Sequence, residues 1–546
     1  MEIQNKSSIF VIELIINKLL FDYNMKLKHL LQAFLAAFVF SACGSSGGDD
    51  PEPTPTPTPT VTAPSVVSTT PANNATNIET GVINVQVVYD KDVLMSSDAS
   101  LQPKVTNGTL SGSASVSGKT LSFSVSCPDY ETKVTITLPK GLIGVTGALA
   151  SEYTFSYTTA PKPQPTENDA TALAKKLGWG WNLGNHFDTS SGQDGKVNQW
   201  GYWDNATPTA ALYTNLKKAG ASTVRICVTW GNYQKEDPWT IDANYMAEVK
   251  QNVDWAESAG LNVIINLHHD EYWLDIKSAA NNANTNTNIK ARIEKTWKQI
   301  AETFKDKGDF LFFESFNEVQ DGSWGWGDNL KDGGKQYNTL NEWNQLVVNT
   351  IRATGGNNAT RWIGVPAYAS SPSFALESSF VLPTDAANRI MVSVHFYDPN
   401  TFTLTPENND GKSEWGHTAA AGKYQSGSNE EHVVETFQKL QEKFIAKNIP
   451  VYIGEYGCVM HKTDRSNLFR NYYLEYVCRA AHEYNMPLCI WDNNSTGGGN
   501  EHHGYFNHDD GSYLNNLESL VKTMIKAATS DDASYTLESI YNNAPK

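Results

Sequence analysis

Residues 311–318 read Leu-Phe-Phe-Glu-Ser-Phe-Asn-Glu, an apolar run that ends in an amide beside a carboxylate. The bulky apolar residues are typical of a buried strand. Asn317 and Glu318 are not, because burying an acid costs free energy unless the acid has a partner or a task. Residues 451–457 read Val-Tyr-Ile-Gly-Glu-Tyr-Gly and place Glu455 in the same way. Two strands that each deliver a Glu from the C-terminal end predict a paired-carboxylate site at one face of a parallel barrel.

The barrel itself is predicted by the alternation of strand-like and helix-like segments from residue 170 onward. Helix-like patterns separate eight short apolar runs, at residues 179–183, 223–228, 263–267, 310–316, 362–367, 391–394, 450–453 and 488–491. Eight such units over about 350 residues suit an α/β fold of the (β/α)8 TIM-barrel type. A doubly wound sheet is the alternative, and it lacks the glycine-rich phosphate turn expected after its first strand.

The charge and the tryptophan content of the chain indicate a neutral ligand. Among 546 residues, Lys and Arg number 42 against 59 Asp and Glu, which leaves a net charge of -17. A chain without a basic stripe is poorly suited to a phosphate backbone, so no nucleic-acid partner is expected. All 15 Trp lie between Trp179 and Trp491, a distribution that a large core and a sugar-stacking cleft would both explain.

The start of the chain has the residue pattern expected of a targeting signal. Lys26 and Lys28 precede an apolar run at residues 30–40, and Ser-Ala-Cys follows, ending at Cys43. The order resembles a bacterial lipoprotein signal, so residues 1–43 are expected to be a leader with Cys43 as the lipid-anchored first residue. The expected location is the cell envelope, on the outer-membrane surface of a Gram-negative bacterium. A plain cleaved secretory signal is the alternative.

A small β domain is predicted between two linkers. Residues 44–60 combine a Gly/Asp run with a Pro-Thr alternation, and residues 161–167 begin with a second Pro-rich stretch. Residues 61–160 hold alternating strand-like runs without Trp, which predicts an immunoglobulin-like β-sandwich. This segment resembles the bacterial Ig-like modules of secreted enzymes, and we interpret it as a spacer rather than a carbohydrate-binding module. The catalytic domain is then expected at residues 168–530.

Polar residues follow the predicted barrel strands at their C-terminal ends, the face where barrel enzymes carry their active sites. The candidates are Asn185, Arg225, His268, His269, Asn317, Glu318, His395, Tyr397, Glu455 and Trp491. Because His395 and Tyr397 are two positions apart on a strand, both are expected to face the lumen. Arg225 is expected to hold one of the two carboxylates in its ionised form.

Neither a metal nor an organic cofactor is expected. No two of the six Cys are spaced as CxxC, and no Cys/His quartet has zinc-site spacing. The His and Asp residues of positions 502–510 lie in a Gly-rich loop, with no strand or helix to fix a coordination geometry. His268, His269 and Asp270 could ligate a metal, but no further ligand group is obvious from the sequence.

At these positions the chain resembles glycoside hydrolase family 5. The family pattern has Arg after strand two, His after strand three, Asn-Glu after strand four, His-x-Tyr after strand six, Glu after strand seven and Trp after strand eight. The candidates above match it in order. Residues 179–185 (Trp-Gly-Trp-Asn-Leu-Gly-Asn), 263–270 (Val-Ile-Ile-Asn-Leu-His-His-Asp) and 395–399 (His-Phe-Tyr-Asp-Pro) are similar to the fourth subfamily, a group of endo-β-1,4-glucanases, xyloglucanases and lichenases.

The resemblance implies a retaining endo-β-1,4-glucanase that acts on plant cell-wall β-glucan: xyloglucan, mixed-linkage glucan or cellulose. It implies that Glu318 is the acid/base and Glu455 the nucleophile, held by Arg225 and the Tyr397 hydroxyl. Asn317 would bind the sugar 2-hydroxyl, and the indole after strand eight would stack under the ring to be cleaved.

Two alternatives stay open from the sequence. One is a β-mannanase on the same fold, and the other is a non-catalytic surface glycan-binding lipoprotein, which has no need for both acids. The chain is expected to act as a monomer on a β-linked polysaccharide or oligosaccharide. Two positions depart from the family pattern: Val319, where Pro is common, and His186, where Thr is common.

Overall fold

The computed structural model describes residues 61–127, 129–160, 169–190, 200–201, 203–235 and 238–546. They form two compact units, with the division between residues 162 and 163. The predicted leader with Cys43 and both predicted linkers lie outside the described residues. In the described part of the chain, no helix combines the length and the apolar character that crossing a membrane requires.

The first unit is a β-sandwich, which confirms the predicted immunoglobulin-like fold. Its strands are β1 (Val66–Thr70), β2 (Ala75–Ile78), β3 (Gly81–Tyr89), β4 (Leu94–Met95), β5 (Lys104–Thr106), β6 (Thr109–Ser117), β7 (Thr120–Cys127), β8 (Lys133–Leu138), β9 (Ile143–Val145), β10 (Ala148–Leu149) and β11 (Tyr153–Thr159). The two main sheets have the orders β1-β3-β7-β6 and β2-β11-β8-β5. Every second residue of β7 is buried, so Leu121, Phe123 and Val125 build the core between the sheets.

The second unit is a closed barrel of eight parallel strands, as predicted from the apolar runs. Its strands are β12 (Trp179–Leu183), β13 (Thr223–Ile226), β14 (Asn262–Asn266), β15 (Leu311–Glu314), β16 (Ile363–Pro366), β17 (Ile390–Phe396), β18 (Val451–Tyr456) and β19 (Leu488–Ile490). Strand β19 pairs with β12 and closes the ring. All eight C-terminal ends therefore open on one face.

Helices connect the strands and cover the barrel. They are α1 (Asp169–Leu177), α2 (Ala210–Ala219), α3 (Ala243–Ser258), α4 (Ile276–Asn281), α5 (Ala283–Phe304), α6 (Lys335–Ala353), α7 (Pro372–Leu376), α8 (Asn400–Thr403), α9 (Glu430–Lys443), α10 (Asp464–Glu483), α11 (Glu518–Thr529) and α12 (Leu537–Tyr541). Helix α5 shows why they form: the Asn282 side chain caps its first turn, and Ile289, Ile293, Trp297 and Ile300 recur on one buried face.

The barrel unit continues past residue 530, where the sequence analysis ended the catalytic domain. Ile540 on α12 and Ala544 after it belong to the same apolar core as the barrel strands. Arg465 on α10 donates from Nη1 to the backbone oxygen of Lys546 at 3.0 Å. The last residues of the chain are therefore part of this unit.

Candidate active site

The two acids predicted from the strand exits lie side by side. Glu318 follows β15, Glu455 lies near the end of β18, and a carboxylate oxygen of each is within 4.8 Å of the other. The ring of His395 on β17 lies between them, with Nδ1 2.7 Å from Glu318 Oε1 and 3.7 Å from Glu455 Oε2. Burial lowers the pKa of His395, but the two neighbouring carboxylates outweigh it and raise that pKa above its ordinary value.

Glu455 accepts hydrogen bonds from the two donors expected for it. Arg225 Nη1 donates to Oε1 at 2.9 Å, and the Tyr397 hydroxyl donates to Oε2 at 3.0 Å. Burial, then the charge of Glu455, raises the pKa of Tyr397 well above its ordinary value, so the phenol keeps its proton. His395 and Tyr397 both reach the acids, as the two-residue spacing predicted, while Phe396 between them packs on Phe437.

Arg225 is fully buried and donates to side-chain oxygens of four residues. Its Nε donates to Glu314 Oε2 at 2.7 Å, and Nη2 donates to Asn317 Oδ1 at 2.7 Å. Nη1 donates to Asn182 Oδ1 at 3.0 Å in addition to Glu455. Burial lowers the pKa of an arginine, but the Glu314 carboxylate outweighs it here, and Arg225 stays charged.

Glu314 is a site residue that was not among the candidates expected from the sequence. It ends β15 and lies wholly inside the barrel, where the Ser393 and Tyr452 hydroxyls donate to its Oε1 at 2.5 and 2.7 Å. The signal that could have found it is a carboxylate inside an apolar run, four positions before Glu318. A buried acid of that kind requires partners, and here they come from three other strands.

Asn317 presents free amide hydrogens beside the two acids. Its Oδ1 is occupied by Arg225, which fixes the orientation of the amide. Its Nδ2 is buried and has no hydrogen-bond partner within the described residues. A buried donor without a partner is unfavourable, so this position is suited to a hydroxyl of a bound molecule.

The His268 ring is neutral and carries its hydrogen on Nε2. Asn266 Oδ1 accepts from the Val228 amide at 3.1 Å, so the Asn266 NH2 group donates to His268 Nδ1 at 3.0 Å. Burial lowers the pKa of His268 well below its ordinary value. Its Nε2 lies 3.8 Å from Asp188 Oδ2 and 3.9 Å from Glu455 Oε1.

Asp188 supplies the ligand group that the sequence analysis did not find beside the two histidines. Ligand atoms of Asp188, His268 and His269 lie within 4.8 Å of one another, whereas Asp270 accepts from two loop amides and an indole. With its hydrogen on Nε2, His268 turns a donor and not a lone pair toward the Asp188 carboxylate. Within the part of the chain that the structure describes, the other such group is Glu318, His395 and Glu455, which contains the acid pair.

The sequence pattern of the cellulases, glycosyl hydrolase family 5, matches residues 184–497, which span strand exits one to eight. The chain belongs to glycosyl hydrolase family 5. The pattern of the bacterial Ig-like domain matches residues 60–159. The resemblances to glycoside hydrolase family 5 and to the bacterial Ig-like modules are thereby confirmed, and the protein is a glycoside hydrolase.

Relatives agree along most of the family 5 unit. Endoglucanase A of Paenibacillus barcinonensis is 32% identical over 356 residues, which cover 62% of this chain and 84% of the relative. A xyloglucan-specific endo-β-1,4-glucanase of Bacteroides ovatus is 35% identical over 338 residues, which cover 60% of this chain and 65% of the relative. The solved structure of a GH5-4 broad-specificity endoglucanase from Bacteroides salanitronis has a TM-score of 0.63 and 47% sequence identity. The match covers 67% of this chain and 96% of that one.

The eighth strand exit of the family 5 barrel carries Trp491. Its ring is parallel to that of His268, at an interplanar angle of 3° and a centroid distance of 5.8 Å. A Cβ atom at Gly184 would lie 2.8 Å from the Trp491 ring, so only glycine allows this approach. Asn185 follows in the left-handed region at φ 62°, which Asn tolerates. The first and eighth exits therefore pack against each other.

A buried charge network lies behind Trp491. His508 contacts Asp204 Oδ2 through Nδ1 at 2.9 Å and Asp492 Oδ1 through Nε2 at 3.3 Å. Burial lowers the pKa of His508, but the two carboxylates outweigh it and raise that pKa to about 9. His186, which departs from the family pattern, contacts Asp204 at 3.1 Å. The loop around residue 508 thus holds a structural ion pair.

The structure separates the tryptophans of the exit loops into core and surface. Trp230, Trp273 and Trp415 are buried, and Trp200 packs on Tyr233 and Tyr245. The exposed ones are Trp203 at 37%, Trp324 at 58% and Trp326 at 86%. Each of these three indoles presents a flat apolar ring to solvent.

Proposed function

We propose that this family 5 hydrolase is a retaining endo-β-1,4-glucanase that acts on plant cell-wall β-glucan. The observation that carries the proposal is that one carboxylate oxygen of Glu318 lies within 4.8 Å of one carboxylate oxygen of Glu455. Retaining glycosidases have their two carboxyl groups about 5–5.5 Å apart, whereas inverting enzymes need about 6.5–9.5 Å to admit a water molecule. So short an approach of the two carboxylates supports the retaining arrangement.

The residues take distinct roles in two steps. Glu455 attacks the anomeric carbon while the bond to the leaving oxygen breaks and Glu318 gives that oxygen its proton. A glycosyl ester on Glu455 results. In the second step Glu318, now a carboxylate, takes a proton from water, the water oxygen bonds to the anomeric carbon, and the ester bond to Glu455 breaks.

The surrounding groups suit this sequence. Arg225 and Tyr397 both donate to Glu455, which keeps the nucleophile ionised and oriented. The unpartnered Asn317 Nδ2 suits the 2-hydroxyl of the sugar, a contact that strengthens as charge develops at the anomeric carbon. Trp491 would lie under that sugar ring, and Asn185, His268 and His269 would line the same subsite.

The glucan class is proposed from the relatives, which include an endoglucanase and a xyloglucan-specific endo-β-1,4-glucanase. Release of reducing ends from xyloglucan, mixed-linkage glucan, carboxymethylcellulose and mannan tests it, with Glu455→Gln as the blank. Release from the glucans and not from mannan is the expected result. Faster release from mannan would favour a β-mannanase, and binding without release would favour a glycan-binding protein.

We also propose that Cys43 is the lipid anchor and that residues 44–60 hold a monomeric enzyme off the outer-membrane surface. The order of basic residues, apolar run and Ser-Ala-Cys supports this proposal. Expression of the full chain in a Gram-negative host, with radiolabelled palmitate, should label the wild type and not Cys43→Ser. Equal labelling of both would contradict it.

A further inference from the structure

Glu314 and Glu455 share one cation. Arg225 gives its Nε hydrogen to Glu314 at 2.7 Å and one Nη1 hydrogen to Glu455 at 2.9 Å. Both Arg225 and Glu314 are fully buried, and Glu455 is nearly so. Solvent therefore screens these interactions little. One guanidinium and two carboxylates meet inside the barrel, and the guanidinium cannot neutralise both acids. Besides Glu318, the other titratable groups that face Glu455 are Tyr397, His395 Nδ1 at 3.7 Å and His268 Nε2 at 3.9 Å, and all of them stay in place when Glu314 is changed.

A purely structural reason for Glu314 is incomplete. Arg225 needs an acceptor for its Nε hydrogen, and a neutral amide oxygen would serve as well as a carboxylate. A carboxylate at this place instead requires further donors, which the Ser393 and Tyr452 hydroxyls provide at 2.5 and 2.7 Å. Burying a second negative charge beside the nucleophile is costly, so its charge should have a consequence at Glu455.

We propose that Glu314 is a positioning residue that divides the charge of Arg225 and thereby keeps Glu455 reactive. This inference rests on the proposed role of Glu455 as nucleophile. Part of the guanidinium charge interacts with Glu314, so Arg225 stabilises the Glu455 carboxylate less. Glu455 is then oriented by Arg225 but remains reactive enough to attack the anomeric carbon. The same contact fixes the plane of the guanidinium, which sends Nη2 to Asn317.

The variant Glu314→Gln tests the charge and keeps the shape. The amide oxygen still accepts from Arg225, and the Ser393 and Tyr452 hydroxyls can rotate to accept from the new NH2 group. The undivided Arg225 charge should then keep Glu455 ionised to lower pH. We expect the acid limb of the kcat/KM profile to move down by about one pH unit. We also expect kcat to fall roughly tenfold, with KM within about twofold of the wild type.

The matched control is Asp385→Asn. Asp385 is another carboxylate paired with an arginine: its side chain is 2% exposed, and it accepts from Arg352 Nε at 2.9 Å and Nη2 at 2.8 Å. It precedes β17, so it belongs to the N-terminal face of the barrel, opposite the site. This variant should lose stability and keep the wild-type pH profile. A shift in both variants would assign the effect to general destabilisation and overturn the inference.

Tyr452→Phe provides a test of opposite sign. Without the Tyr452 hydroxyl, Glu314 has one donor fewer and interacts more strongly with Arg225. The acid limb of the kcat/KM profile should therefore move to higher pH. This variant decides the question if Glu314→Gln does not fold. Acid limbs that coincide with the wild type in every folded variant would overturn the inference. Failure of the proposed function is a separate result, namely a wild type that releases no reducing ends from any glucan.

Discussion

At the scale of the residue, Glu318 and Glu455 are the same side chain in two surroundings. Glu455 accepts from a guanidinium and a phenol, which favour its anionic form. Glu318 is paired with His395 and is the more exposed of the two. The difference in donors is the physical basis for assigning one acid as nucleophile and the other as proton donor.

Glu318→Ala should separate protonation of the leaving group from nucleophilic attack. We expect at least a hundredfold loss of kcat on polysaccharide, because its leaving oxygen needs a proton. An aryl glucoside with a good leaving group needs none, so formation of the glycosyl ester should be much less affected. Burst kinetics measure the two steps. An equal fall of kcat on polysaccharide and on the aryl glucoside would contradict the assignment of Glu318 as acid. Glu455→Gln should lose activity on both substrates and keep the fold.

The pKa of His508 has a consequence for stability. Asp204 and Asp492 raise it to about 9 from an ordinary value near 6.5. A raised folded-state pKa stabilises the fold fully below the ordinary value, and the contribution is lost as the pH rises through about 9. Between pH 7 and 10 the free energy of unfolding of the wild type should fall by roughly 2–3 kcal/mol more than that of His508→Asn.

Denaturant unfolding at several pH values measures this difference. His503→Asn is the matched control, since His503 is buried in the same loop and burial lowers its pKa to about 3. That residue stays neutral above pH 7, so the effect of its replacement should not change with pH. A constant difference for His508→Asn as well would show that its ion pairs do not titrate in this range.

At the scale of the element, the loop after β15 holds two exposed indoles on an ordered backbone. Asn329 Nδ2 donates to the Gly325 oxygen at 2.9 Å, and a Cβ at Gly325 would clash with the Phe374 ring. Trp324 adopts φ 53°, which is unfavourable for a bulky side chain. We propose that Trp324 and Trp326 form sugar-stacking subsites beside the acid pair, because their loop begins at Glu318.

Trp326→Ala should therefore weaken binding of the polymer and spare the chemistry. We expect KM on a soluble glucan to rise roughly tenfold, with kcat unchanged, and the kinetics on a short aryl glucoside to stay the same. Leu330→Ala is the matched control, since Leu330 is an exposed apolar residue of the same loop and has no ring to stack. An equal effect of both changes on KM would contradict a stacking role.

At the scale of the whole molecule, the two units have separate apolar cores. One core consists of residues between Val85 and Tyr157, and the other of residues between Ala170 and Ala544. Each unit therefore has what it needs to fold alone. A chain starting at residue 163 should unfold in one cooperative transition and hydrolyse soluble glucan with kcat/KM within about twofold of the full chain. Loss of folding, measured by calorimetry, would contradict this independence.

The sequence alone determined the architecture and the position of the two acids. Apolar periodicity is local, so eight runs with intervening helices predicted the barrel, and polar residues at the run ends predicted which side chains would converge. Arg225, Glu318 and Glu455 were expected together on this ground. In the structure Arg225 donates to Glu455, and a carboxylate oxygen of Glu318 lies within 4.8 Å of one of Glu455. The two strand-exit motifs also carried the family resemblance, which the comparisons confirm.

Only the tertiary structure decided which neighbours those residues have. Glu314 lies 89 positions from Arg225 in the chain, and Asp204 lies 304 positions from His508, so no local pattern connects them. The exposure of Trp326 and the burial of Trp415 likewise depend on what packs against each ring. Periodicity indicates the face of an element on which a residue lies. Its contact partners and its solvent exposure depend on which distant segments of the chain pack against that face.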